Sequence, residues 1–201
     1  MNVKSLVKRN YKKQPEIDFP DYKSSIFRAP KNKKISIPSN NSEIFGPIFN
    51  QKIIGKLDND LTLNFSKNKM SPIGHKIIVY GTVIDQFSNP IKGALIEIWQ
   101  ANAAGKYLHQ DDINPAPIDP NFSGCGRSLT SSDGSYEFLT IQPGPYPYPN
   151  RGIEWRPMHI HFSIFGKSFG QRLITQMYFE GDPLINPVSY THLTLPTTPY
   201  V

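Results

Sequence analysis

The sequence has little of what disulfide-rich, membrane or long-helix proteins need. Cys125 is the one cysteine in 201 residues, which excludes an intramolecular disulfide framework and a thiolate-rich zinc site. No stretch approaches the roughly 18 apolar residues of a membrane span. Nineteen prolines and fourteen glycines argue against long helices and coiled coils. Residues 1–14 are basic with no apolar run after them, so we expect no secretory signal and a cytoplasmic location.

Charge is distributed unevenly along the chain. Residues 1–70 contain 14 Lys and Arg against 6 Asp and Glu, whereas residues 71–201 contain 8 against 10. The basic part has no recognisable nucleic-acid-binding motif, so we expect it to favour anionic substrates or acidic partner surfaces instead. It is also interrupted by proline and shows little periodicity. We therefore predict an extended, mostly irregular arm over residues 1–70 that contacts a neighbouring subunit.

From residue 71 the pattern becomes typical of strands. Apolar, β-branched and aromatic residues predict five of them, at 76–83, 94–100, 136–140, 158–165 and 173–179. Gly- and Pro-rich loops separate these segments, which predicts an all-β protein, an antiparallel β-sandwich over residues 71–187. Trp99 lies on an apolar strand and is expected mainly in the core. The loop from 101 to 126 is long, and loops of that length are usually functional.

Two histidines at alternate positions suggest a metal site. His159 and His161 point to the same face of a predicted strand, where two imidazoles can chelate a metal. The alternative is a pair of histidines on a solvated face. Tyr107, Tyr146 and Tyr148 lie in nearby loops, the last two between prolines that would pre-organise them. Each tyrosine taken alone is more typical of an ordinary packing residue.

Four stretches in chain order carry a resemblance to a known family. They are IWQANAAGKY at 98–107, IDPNF at 118–122, GPYP at 144–147 and WRPMHIHF at 155–162. Together they resemble the intradiol ring-cleavage dioxygenases, and within that family the iron-bearing β chains of the protocatechuate-cleaving branch. The resemblance extends from near residue 20 to residue 184.

The resemblance implies one mononuclear, non-haem Fe(III) per chain, held by Tyr107, Tyr146, His159 and His161. Phenolates are hard anionic donors that suit a ferric ion, and a bound cation lowers the pKa of a phenol. Two imidazoles add neutral donors. This chemistry is consistent with the residue types, although the assignment of each position comes from the family likeness.

The same likeness implies further roles. Arg156 would offset negative charge on the substrate ring during oxygen attack, Gln176 would line the oxygen side of the site, and Tyr22 would lie near the substrate carboxylate. Tyr148 stands where the family commonly has tryptophan, in the wall against the substrate. The alternatives are a surface arginine, a strand-surface glutamine and a tyrosine that only anchors the N-terminal arm.

The implied reaction inserts both atoms of O2 between the two hydroxyl-bearing carbons of a catechol. Protocatechuate would give 3-carboxy-cis,cis-muconate, with Tyr146 taking a proton as a general base, and a related α chain would complete a hetero-oligomer. Two other interpretations stay open: a catechol 1,2-dioxygenase-type enzyme and a non-catalytic β-sandwich partner subunit. Residues 188–201 match nothing expected of the family. We therefore expect an aberrant tail on a truncated chain, with lowered stability or activity.

Overall fold

The computed structural model describes Asn32 and residues 54–68, 70–149, 153–166 and 172–185, with backbone only at 148–149 and 153–154. In these ranges the chain forms eight strands: β1 (Lys76–Thr82), β2 (Leu95–Gln100), β3 (Cys125–Leu129), β4 (Ser135–Ile141), β5 (Tyr146–Pro149), β6 (Ile153–Arg156), β7 (His159–Phe165) and β8 (Arg172–Tyr178). The described part of the chain contains no helix, and so none long and apolar enough to cross a membrane.

The strands form two sheets and a separate ribbon, all with antiparallel pairing. One sheet has the order β3-β2-β7-β8, the second pairs β1 with β4, and the ribbon pairs β5 with β6. In the four-stranded sheet, Ile98 lies opposite Phe162, and His161 lies between Trp99 and Gln176. This register decides which side chains share a face.

The core lies between the two sheets. Alternate residues of β2 and β7 contribute Ile96, Ile98, Ile160 and Phe162, each at most 5% exposed. The β1–β4 sheet supplies its share of the same cluster, including Phe138, which is fully buried. Because strand side chains alternate between faces, packing one face of β7 here leaves the other face for the histidines.

A buried polar contact joins the two sheets beside this core. Gln100 at the end of β2 donates from Nε2 to the Ile141 carbonyl over 2.7 Å and accepts from Thr140 Oγ1 over 2.8 Å. The Gln100 and Thr140 side chains are 1% and 0% exposed. Such a satisfied buried pair fixes one alignment of the sheets, since leaving either group without its partner is costly.

The predicted antiparallel β-sandwich is confirmed, and all five predicted strands are present within a residue or two of their expected ends. Three strands were not predicted. β3 (CGRSL) has no apolar alternation and gains its conformation from pairing with β2. The β5 segment was expected to be a proline-rich loop, yet it pairs with β6 as a two-stranded ribbon, in which proline is tolerated at an edge. The division at residues 70 and 187 stays a prediction.

Candidate metal centre

The two histidines begin β7 on the face that points away from the core. Ile160 between them is fully buried, as the alternation predicts, while His159 and His161 project together to the other side. Their Nε2 atoms lie 3.2 Å apart. His159 is only 2% exposed and His161 is half-buried, so the pair sits in a recess and not on an open surface. The predicted same-face arrangement is confirmed.

A backbone carbonyl fixes the tautomer of His159. Its Nδ1 lies 2.7 Å from the Pro157 carbonyl oxygen, which can only accept, so Nδ1 carries the proton and donates it. The Nε2 lone pair is then directed towards His161. A histidine that donates its other ring N–H to a carbonyl is the usual arrangement of a metal-ligating imidazole.

Burial keeps both imidazoles neutral. Desolvation lowers the pKa of His159, and the nearby Arg156 guanidinium lowers it further, against the raising effect of the Pro157 carbonyl. Desolvation, His159 and Arg156 together lower the pKa of His161 to about 4. Near neutral pH the two rings therefore offer lone pairs, which is the state that a metal ion binds.

Two tyrosines from separate segments close the recess. The Tyr107 ring meets the Tyr146 ring edge-on at 5.2 Å between centroids, and Tyr146 lies 5.4 Å from the His159 ring. Tyr107 is 6.3 Å from the His161 ring. The four side chains predicted as ligands thus form one continuous cluster, although the two tyrosines lie 39 positions apart along the chain.

Glycines allow the two tyrosine-bearing segments to touch through their backbones. Gly105 has φ of 76°, and a Cβ built on it would come within 2.0 Å of the Pro145 carbonyl oxygen. Across the same contact, a Cβ on Gly144 would lie 2.5 Å from the Ala103 carbonyl oxygen. The Gly144 N–H donates to the Asn102 carbonyl over 2.9 Å. Any larger residue at these positions would separate Tyr107 from Tyr146.

The Tyr107 hydroxyl is a buried polar atom that makes no hydrogen bond of ordinary geometry among the described residues, and its polar neighbour is the Tyr146 phenol. Burial raises the pKa of Tyr107 far above its ordinary value, and the neighbouring Tyr146 phenol adds to the increase. A buried hydroxyl without a well-formed hydrogen bond is rare, and such an atom is suited to a ligand or an ion. A cation at this position would satisfy the oxygen and reverse the pKa shift by stabilising the phenolate.

These donors fit a single metal ion. Two nitrogen ligands about 2.1 Å from one ion and roughly at right angles would lie about 3.0 Å apart, close to the observed imidazole separation. Among the described residues, no group of three or more His, Cys, Asp or Glu side chains is placed so that it could hold a metal ion. A metal here would therefore depend on the phenolic oxygens, which favours a hard, highly charged ion over zinc.

Arg156 and Gln176 border the same cluster. Arg156 ends β6 directly opposite Tyr146, and its guanidinium carbon lies 5.9 Å from the Tyr146 ring centroid. Gln176 of β8 is the cross-strand neighbour of His161. Tyr178, which the sequence reasoning did not single out, has its ring 5.6 Å from His159 and donates its hydroxyl to Gln176 Oε1 over 2.6 Å. Strand alternation from Gln176 was the signal that could have identified Tyr178.

The other predicted site residues have different outcomes. Tyr22 lies outside the described residues, and only the backbone of Tyr148, in β5, is described. Trp99 was expected mainly in the core, and that prediction is wrong. It is 39% exposed on the histidine face of β2, stacked on His161 at 5.4 Å and against Tyr107 at 4.7 Å. It therefore contacts two members of the cluster directly.

Comparison of the chain with known proteins identifies its family. A family model described as "Dioxygenase" matches residues 44–193, and one described as "Protocatechuate 3,4-dioxygenase beta subunit N terminal" matches residues 7–40. The chain belongs to the intradiol ring-cleavage dioxygenase family. In particular, it is similar to the protocatechuate 3,4-dioxygenase beta chain of Burkholderia cepacia. The two are 47% identical over 180 residues, covering 90% of this chain and 76% of the other.

More distant relatives are named as catechol or chlorocatechol 1,2-dioxygenases. Catechol 1,2-dioxygenase 1 of Acinetobacter lwoffii is 36% identical over 120 residues, which is 54% of this chain and 37% of that protein. The solved structure of 3-chlorocatechol 1,2-dioxygenase from Rhodococcus opacus 1CP has a TM-score of 0.51 at 27% identity, covering 74% of this chain and 63% of that one. The chain therefore spans about three quarters of the beta chain but less than two thirds of these catechol enzymes.

Proposed function

We propose that this chain is the iron-bearing subunit of an enzyme that cleaves protocatechuate between its hydroxyl-bearing carbons, using O2, to give 3-carboxy-cis,cis-muconate. One observation carries the proposal. Two neutral imidazoles with adjacent Nε2 atoms, one buried and one half-buried, meet two phenols, one with a hydroxyl that makes no hydrogen bond of ordinary geometry among the described residues. The family likeness supplies the reaction class, and the 47% identity to a beta chain favours protocatechuate.

In this proposal Tyr107, Tyr146, His159 and His161 hold one Fe(III). When bound, the ion would withdraw electron density from a catecholate and make its ring reactive towards O2. The protein residues position that chemistry: the carbonyl of Pro157 orients His159, and the Trp99 ring stacks on His161 and packs at a tilt against Tyr107. Other side chains of the protein would transfer a proton and stabilise developing charge.

Tyr146 is suited to accept a proton from the substrate. It is only half-buried, whereas Tyr107 is 7% exposed, so an incoming catechol reaches Tyr146 first. As a phenolate its Oη would take one of the two hydroxyl protons, and a second base would have to take the other to leave the substrate as the catecholate dianion. Tyr107 would stay in place, because Trp99 and Tyr146 pack against its ring.

Arg156 and Gln176 would act on charge and on oxygen. The Arg156 guanidinium lies over the Tyr146 ring, where it favours negative charge developing next to that phenol. Because Tyr178 donates to Gln176 Oε1, the Gln176 amide nitrogen keeps its two hydrogens for another acceptor. An oxygen atom bound beside His161 would be such an acceptor. Tyr22 and Tyr148 remain proposed contacts of the substrate ring and its carboxylate.

A related α chain is the proposed partner. The histidine face of the four-stranded sheet carries a cavity of about 720 Å³, and Trp99, His161 and Ile174 are among its lining residues. Ile174 is 68% exposed there, which suits a face that another chain covers. The similarity to a protein named as a beta chain supports the same partner. A cytoplasmic location stays a prediction.

The visible spectrum of the iron-loaded protein, with and without substrate, tests the function. Anaerobic loading with iron followed by oxidation should give one ferric ion per chain and a tyrosinate-to-iron absorption band. Protocatechuate should shift that band, and O2 should then be consumed with release of the carboxymuconate. Faster turnover of catechol than of protocatechuate would favour the catechol 1,2-dioxygenase alternative. A folded, iron-treated protein that stays colourless with and without the α chain would favour a non-catalytic subunit.

A further inference from the structure

Lys106, immediately before Tyr107, points into the protein. Its ammonium donates to the Asp112 carbonyl over 2.5 Å and to the Asn114 carbonyl over 2.7 Å, and lies 3.5 Å from Asp112 Oδ1. The Lys106 and Asp112 side chains are 11% and 14% exposed. Lysine is rarely buried unless it is paired, since desolvating the charge is costly. Here two carbonyls and a carboxylate provide the compensation.

The partner carboxylate holds the backbone of Tyr107. Asp112 Oδ2 accepts from the Tyr107 N–H over 2.7 Å, while Oδ1 accepts from the Asn114 N–H over 2.7 Å. The Asn114 side chain in turn donates to the Gly105 carbonyl over 2.8 Å. Hydrogen bonds from segment 112–114 therefore reach the residues on both sides of the Lys106 position. Asn102 closes the remaining side, because its Oδ1 accepts from the Lys106 N–H over 3.0 Å.

This network matters because the Tyr107 hydroxyl does not position its own ring. That hydroxyl makes no hydrogen bond of ordinary geometry with a described residue, so the ring is located by its contacts with Trp99, tilted against it at 4.7 Å, and Tyr146, edge-on at 5.2 Å, and by its backbone. The ring contacts restrict the orientation of the ring but do not set the position of the Tyr107 backbone. The backbone position, and with it the distance of the phenol oxygen from the two histidines, depends on the bond to Asp112.

We propose that Lys106 and Asp112 are positioning residues for Tyr107. The Lys106 ammonium binds the carbonyls of Asp112 and Asn114 and so holds segment 112–114 in place. The Asp112 carboxylate, fixed in that segment, then sets the position of the Tyr107 backbone by accepting its N–H. The inference rests on the proposed iron site for its consequence, since misplacing one ligand weakens metal binding. Loss of a residue that orients a ligand costs about 10- to 100-fold in metal affinity.

The test compares Lys106→Met, Lys106→Arg and Asp112→Asn in the full-length chain, with Lys92→Met as control. Met keeps the length of lysine without its charge or donors, whereas Arg keeps both, and Lys92 is exposed. Hydrogen exchange at the Tyr107 amide reports the positioning in metal-free protein. Competition with a chelator measures the dissociation constant for Fe(III), and the position of the tyrosinate absorption band reports the ligand geometry.

We expect Lys106→Met and Asp112→Asn to expose the Tyr107 amide, to shift the band and to weaken iron binding by about 10- to 100-fold. Lys106→Arg should keep most of the amide protection, the band position and the iron affinity. Lys92→Met should match the unmodified chain in all three. If Lys106→Met does not fold, Asp112→Asn alone decides. Unchanged exchange in the folded variants would overturn the inference, as would lost protection with unchanged iron affinity and band.

Failure of the proposed function gives a different result. If the unmodified chain binds no iron, the iron site is wrong, and the exchange of the Tyr107 amide in metal-free protein still decides whether Lys106 positions Tyr107. Protection that is lost in Lys106→Met and kept in Lys106→Arg would support the positioning role. Equal protection in both would refute it.

Discussion

Substituting Gly105 by alanine should separate the two tyrosines of the candidate metal centre. The added Cβ would lie 2.0 Å from the Pro145 carbonyl oxygen, more than an ångström inside ordinary contact. The backbone of one segment must therefore move away from the other. Because Tyr107 is two residues from Gly105 and Tyr146 directly follows Pro145, the movement changes the distance between the two phenols.

The cost has two parts that can be separated. Gly105 has φ of 76°, where a side chain costs about 1–2 kcal/mol. Overpacking against a fixed backbone adds about 1–3 kcal/mol. Gly93 provides a matched control, since its φ is 73° and a Cβ there would meet no described atom within 4 Å. The difference between Gly105→Ala and Gly93→Ala therefore isolates the steric part.

Urea unfolding and iron titration of the two variants measure the effect. We expect Gly93→Ala to lose about 1–2 kcal/mol of stability and to bind iron normally. Gly105→Ala should lose about 1–3 kcal/mol more, and its iron affinity should fall with a displaced tyrosinate band. Equal stability losses and equal iron affinities in the two variants would refute the argument that this contact holds the tyrosines together.

Other predictions concern individual side chains. Tyr146→Phe should keep Fe(III), with an altered absorption band and reduced turnover; an unchanged band and rate would contradict the assignment of Tyr146. Arg156→Ser should leave the resting band nearly unchanged while the substrate complex reacts about 10²–10³-fold more slowly with O2 in rapid mixing; a normal rate would remove its electrostatic role. The pKa of His161, about 4 against an ordinary 6.5, is depressed, so the stability that neutral His161 contributes is complete above about pH 6.5 and lost towards pH 4. Metal-free protein should therefore lose about 1–2 kcal/mol over that range after discounting for partial exposure, and His161→Gln should show a smaller loss in urea unfolding; equal slopes would contradict this. Thr140→Val, which leaves Gln100 Oε1 without its donor, should cost about 1–3 kcal/mol with little change in iron affinity, and a stability change near zero would contradict the buried contact.

Much of the fold and of the candidate site follows from the sequence alone. The alternation in HIHFSIF determines that His159 and His161 share one face while Ile160 is buried on the other, because strand geometry has a period of two. The turn residues and the β-branched segments likewise determine five of the eight strands. The predicted set of two phenols and two imidazoles came from the family resemblance of the motifs, because each tyrosine taken alone was more typical of a packing residue.

The tertiary structure decided which side chains are buried, because burial depends on the other parts of the chain that pack against them. β2 (LIEIWQ) has apolar residues on both faces and one polar residue on each, Glu97 and Gln100, so its sequence does not reveal which face meets the second sheet, and Trp99 was wrongly expected in the core. Likewise, nothing local distinguishes a solvated Lys106 from one whose charge is satisfied by carbonyls six and eight residues away. The burial of these side chains depends on which surfaces come into contact when the sheets and loops pack, and the local sequence does not specify those contacts.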